Sequence, residues 1–94
     1  MTDAESTNNP AFIEAANEVR SLGDSLTQED LLKLYGLFKQ ATIGKVNTTA
    51  PSSIFDPKGA AKHRAWSDVG DKSKEEAQAA YVAFVEEIKA RAGQ

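Results

Sequence analysis

Four helix-start signals divide this chain, and nothing between them supports a strand. Asn9-Pro10, Thr27-x-x-Asp30, Asp56-Pro57 and Ser73-x-x-Glu76 each set a capping side chain ahead of apolar residues at helical spacing. Proline at the first helical position loses nothing, because that N–H has no partner within the helix. The first run carries Phe12, Ala15, Ala16, Val19 and Leu22 and ends at Gly23, and the second carries Leu31, Leu34, Phe38 and Ala41 and ends at Gly44. The third turns Ala61, Ala65, Trp66 and Val69 inward and stops at Gly70. The fourth, with Ala77, Ala80, Tyr81, Phe84, Val85 and Ile88, has the cleanest helical stripe. No segment alternates apolar and polar residues for long enough to be a strand, so the expected class is all-α, a four-helix bundle.

Three of the connections are short and join neighbours, whereas about a dozen residues separate helices two and three. Such a length can carry the chain over the end of the bundle, so that helices two and three run the same way. Lys45–Phe55 is rich in Asn, Thr, Pro and Ser without a period, and long loops in small domains commonly carry function. A single domain spanning residues 1–94 is expected, with 1–9 as a flexible leader. That leader lacks the basic and apolar regions of a secretory signal, and no run approaches the roughly 20 apolar residues of a membrane span. A cytoplasmic monomer is the expectation. The chain has no cysteine, which excludes disulfides, thiolate catalysis and Cys-ligated zinc.

Charge is unevenly distributed. Residues 31–67 hold six basic side chains (Lys33, Lys39, Lys45, Lys58, Lys62, Arg64) against Asp56 alone, a local +5 in a chain of net −3. Cations confined to the middle third beside aromatics suggest an anion site. The acidic total, with pI near 5.1, argues against nucleic-acid binding, which calls for a broad basic face.

On the second helix, Leu31, Leu34, Phe38 and Ala41 share the expected core side. Leu32, Tyr35, Lys39 and Ile43 share a neighbouring face, with Gly36 among them. That face suits a ligand with a flat ring, a phosphate and an apolar tail; it reads equally as core margin with a solvated lysine. Lys58 and Lys62 form one ridge a turn apart, read either as solvated surface or as part of the same anion site. Arg20 pairs most simply with Glu14 or Glu18, and Trp66 reads as core. His63 has no second metal-ligating partner and no nucleophile to activate, and no glycine-rich phosphate loop is present, so no metal, cofactor or catalysis is expected.

The run Tyr35-Gly-Leu-Phe38-Lys39-Gln40-Ala41-Thr42-Ile-Gly44, followed by Asn47-Thr48 and Pro51, resembles the acyl-CoA-binding protein family. So do Asp56-x-Lys58-Gly59-x-Ala61-Lys62-x-x-Ala65-Trp66 and Ser73-Lys74-Glu75-x-Ala77 with Ala80-Tyr81, and the resemblance extends from Phe12 to Ile88. It implies an up-down-down-up four-helix bundle that binds long-chain acyl-CoA thioesters without changing them. By that resemblance Tyr35 and Lys39 serve the adenosine 3′-phosphate and Phe38 the adenine. Lys62 and Lys58 are further ligand contacts, Arg20 stands for a phosphate-binding lysine, and Tyr81 is an aromatic contact. Leu32 and its neighbours on the second helix, Gly36 and Leu37 among them, would line the acyl groove. The chain departs from the family pattern at His63, where an aromatic is usual, at Pro57 and Ala60, and in one extra residue between Pro51 and Phe55. The resemblance further implies transient dealings with acyl-CoA-using enzymes or membranes. The rival readings are a helical module that binds an acidic protein partner through the same basic patch, an enzyme such as a thioesterase, and a helix-turn-helix DNA binder.

Overall fold

The computed structural model describes residues 3–93. Four α-helices are present: α1 (Pro10–Glu18), α2 (Gln28–Thr42), α3 (Pro57–Val69) and α4 (Lys74–Ala92), with no strand among the described residues. Each begins at the cap read from the sequence. The Asn9 and Asp56 carboxamide and carboxylate oxygens accept from the N–H groups of Phe12 and Gly59, at 3.3 and 3.0 Å. Thr27 with Asp30 and Ser73 with Glu76 close reciprocal capping boxes. Gly70 ends α3 at φ +79°, a conformation that only glycine adopts without strain.

Two stretches differ from expectation. The segment read as a flexible leader forms a 3-10 turn over Asp3–Thr7 that seats Ala4 in the core, 1% exposed; Met1 and Thr2 lie outside the described residues. The α-helical geometry of the first run stops at Glu18 and tightens into a 3-10 segment, Val19–Ser25. Ser21, Gly23, Asp24 and Ser25 are weak helix formers, and 3-10 turns are common where a helix gives out.

Cross-links fix the topology. Asn9 Nδ2 donates to Gln78 Oε1 (2.9 Å), joining the starts of α1 and α4, and Lys89 pairs with Glu18 (2.7 Å) where both end. Gln78 Nε2 donates to the Ala41 carbonyl, and Arg91 pairs with Asp30 at 2.6 Å, so α2 runs antiparallel to α4. Trp66 Nε1 donates to the Gly44 carbonyl (2.8 Å), and Gln40 Nε2 to those of Gly70 and Lys72 (2.9 and 2.8 Å). The C-terminal ends of α2 and α3 therefore meet, and the long connection returns the chain to make them parallel. The course is up-down-down-up.

Phe12, Ala15, Leu34, Leu37, Ala41, Ala77, Tyr81, Val85 and Ile88 form the core between α1, α2 and α4. Phe12, Phe38 and Tyr81 stack there with ring centroids 5.0 to 6.1 Å apart. Leu31, expected in the core, is 46% exposed, and Leu37 is buried in its place. The reason is that α2 is covered on two sides, by α4 with the N-terminal 3-10 turn and by α3, so its buried arc is wider than one stripe. By contrast α3 rests chiefly on α2. The seam between these two parallel helices opens to solvent.

A cationic cleft and an apolar groove along one helix seam

The seam holds two depressions. The first is a cleft of about 300 Å³ near the C-terminal half of α2. Tyr35 and Lys39, a turn apart, form its α2 wall, while Gly59, Lys62, His63 and Trp66 form its α3 wall. Thr48, Thr49 and Pro51 of the long connection close it. Lys39 Nζ stands 5.9 Å from the Tyr35 ring centroid and 5.3 Å from that of Trp66. Lys62 Nζ approaches the same Tyr35 ring at 5.5 Å. Both ammonium groups are within range of a ring's electron-rich face.

No carboxylate lines this cleft, and among the described residues neither Lys39 nor Lys62 makes an ion pair. Two like charges beside one ring repel each other and favour an anion between them. Trp66, read from the sequence as core, is 5% exposed yet also forms part of the wall, its ring held by the bond to Gly44. His63 Nε2 donates to the Thr48 carbonyl at 2.6 Å, tying α3 to the long connection. A carbonyl can only accept, so the neutral ring carries its proton on Nε2.

The second depression, about 550 Å³, is lined by other faces of the same two helices. Leu32, Leu37, Ala61, Ala65 and Val69 give it an apolar lining, and Glu29, Lys33, Arg64, Asp68 and Lys72 stand among them. Leu32 lies one turn before Tyr35, and Ala61 and Ala65 adjoin Lys62 and Trp66 in the chain, so both depressions border the α2–α3 contact.

The remaining expected site residues are placed elsewhere. Gly36 is buried beneath α3, where an added β-carbon would collide with the Ala65 carbonyl, 2.7 Å from its carbon. Phe38 and Tyr81 face the core; Tyr81 is 4% exposed, and burial pushes its phenol up to about 12. Lys58 is exposed near the start of α3 and does not line the cleft. Arg20 is exposed in the 3-10 segment and pairs with neither Glu14 nor Glu18 among the described residues, Glu18 being paired with Lys89. Gly59, His63, Trp66, Thr48, Thr49 and Pro51 line the cleft without having been expected as site residues. The length and composition of the connection hinted at the last three, and the departure from the family pattern hinted at His63.

Comparison with known proteins bears on what this seam holds. Residues 9–85 match the family model described as Acyl CoA binding protein. The chain is 48% identical over 83 residues to Acyl-CoA-binding protein homolog 1 of Caenorhabditis elegans, covering 88% of this chain and 95% of that one. It is 44% identical over 82 residues to a Manduca sexta acyl-CoA-binding protein homolog, covering 87% and 91%. In three dimensions it superposes on the crystal structure of Oryza sativa Acyl-CoA-Binding Protein 2 with TM-score 0.84 and 44% identity, over 89% of this chain and 92% of that one.

Proposed function

The chain belongs to the acyl-CoA-binding protein family, and on that premise we propose that it carries long-chain acyl-CoA esters along the α2–α3 seam. The observation supporting this reading is the convergence of Lys39 and Lys62 on Tyr35, without a carboxylate, together with an apolar groove lined by the same two helices. A phosphorylated nucleotide with a fatty tail needs both kinds of surface. In this reading Lys39 and Lys62 hold phosphate oxygens, with charge-assisted bonds stronger than neutral ones. The Tyr35 and Trp66 rings flank the nucleotide, and Leu32, Leu37, Ala61 and Ala65 receive the chain.

The apolar part sets the scale of affinity. A palmitoyl chain has about 14 methylenes, and at ~0.8 kcal/mol each its burial contributes on the order of 10 kcal/mol before ordering costs. The phosphate contacts choose CoA over a free fatty acid. Lys58 and Arg20 extend the cationic field toward the head group in this reading, and Phe38 and Tyr81 act from beneath by fixing the packing of α2.

The family is one of binding proteins, and the proposal includes carriage without chemistry, by a monomer, in the cytoplasm. No helix of the described residues is long and apolar enough to cross a membrane. Mass spectrometry of small molecules co-purifying with the native protein tests the cargo: acyl-CoA thioesters are expected, and their consistent absence would count against the reading. Incubation with palmitoyl-CoA should release no thiol. A module for an acidic protein segment would use the same lysines but show no dependence on acyl chain length.

A further inference from the structure

The long connection that closes the cationic cleft is fastened at two places. Its start is held where Trp66 Nε1 donates to the Gly44 carbonyl and Lys45 pairs with Asp71 at 2.8 Å. Further along, His63 Nε2 donates to the Thr48 carbonyl at 2.6 Å. Among the described residues, the other hydrogen bonds of residues 46–55 stay within the turn at Ser52, with Ile54, Phe55 and Asp56. His63 therefore holds Thr48, Thr49 and Pro51 against α3 as the outer wall of the cleft, and its own ring lines the same cleft.

The charged and titratable groups around that ring are few. Tyr35 and Lys39 line the cleft from α2 and Lys62 from α3, while Thr48, Thr49 and Pro51 bring none from the connection. On α3 itself, Lys58 and Arg64 lie outside the cleft lining, and the Asp56 carboxylate is turned back onto the Gly59 N–H. An imidazole changes charge near pH 6.5, and here the second proton goes to Nδ1, because Nε2 already holds the one that Thr48 accepts. Protonation thus keeps the bond to Thr48, makes it charge-assisted, and sets a third cation beside Lys39 and Lys62. Repulsion among three cations disfavours the protonated ring in the empty cleft, and phosphate oxygens between them relieve it. We propose, on the acyl-CoA reading of the seam, that His63 is a positioning residue that latches the connection over the bound head group, and that its protonation tightens the hold on phosphate as pH falls. The sign follows from linkage: a ligand that favours the protonated ring binds more tightly where protons are plentiful.

The test is calorimetric titration of palmitoyl-CoA into wild type, His63→Gln and His63→Ala at about pH 8 and about pH 5.5, on either side of the imidazole range. All three should show the same circular dichroism. The glutamine amide can donate to the Thr48 carbonyl but takes up no proton, so His63→Gln should match wild type within about twofold at the higher pH. At the lower pH wild type should bind about three- to tenfold tighter than His63→Gln, the scale of one added charge a few ångströms from a phosphate near water. Titration of the ligand's own phosphates is common to both proteins and cancels in this ratio. His63→Ala, which loses the latch, should bind at least about threefold more weakly than wild type at both pH values. A wild-type-to-glutamine ratio that is the same at the two pH values, or an alanine variant as tight as wild type, would overturn the proposal and leave the acyl-CoA reading standing. A wild type that binds no palmitoyl-CoA at either pH would overturn both.

Discussion

Lys39 stands over the rings of Tyr35 and Trp66 and faces no carboxylate, so its charge is available to a ligand. Lys39→Ala should weaken palmitoyl-CoA binding by about 1–3 kcal/mol with little effect on thermal stability, read by calorimetry and by melting. Asp30 shows the opposite case, a buried charge committed to structure. Its carboxylate accepts from Thr27 N–H at 3.0 Å and pairs with Arg91, and chiefly the Thr27 backbone bond holds it below the ordinary aspartate value. A lowered folded-state value means that stability is present above the unfolded value and is lost as pH falls through the folded one. Asp30→Asn should cost about 1–2 kcal/mol near neutral pH and should flatten the loss of stability below about pH 4. Helical spacing put Tyr35 and Lys39 on one face but left their role open, and it was the family resemblance that singled out both of them and Lys62. The cleft role of Trp66 and His63 was not legible in that way, since it arises from bonds to Gly44 and Thr48 that cross between elements.

The α2–α3 pair is the element on which the seam depends, and Gly36 sets its spacing. An added methyl group would meet the Ala65 carbonyl, so the helices approach closely only because that side chain is absent. Gly36→Ala should destabilise the fold by about 1–3 kcal/mol, as overpacking does, and weaken ligand binding with it. Denaturant unfolding and calorimetry on the same variant would check both. Ser73→Ala, by removing one half of the α4 capping box, should cost about 1 kcal/mol and leave affinity unchanged. All four helix starts were readable because caps are local. The change at Val19 to 3-10 geometry and the exchange of Leu31 for Leu37 were not, because they depend on which neighbours cover the helix.

Across the whole molecule, an acidic chain of net −3 gathers six of its eleven basic residues into residues 31–67, from α2 through the long connection into α3, against one acidic residue. The parallel course of α2 and α3 follows from the long connection, whose length alone foreshadowed it, and it brings cation and apolar lining together. Two consequences separate head from tail. Affinity for free CoA should fall as salt rises, whereas the increment added by each methylene should be nearly independent of salt. The most direct check is calorimetric titration of the protein with palmitoyl-CoA and with free CoA under one set of conditions. The account predicts that palmitoyl-CoA binds tighter by at least several kcal/mol; equal affinities would contradict it.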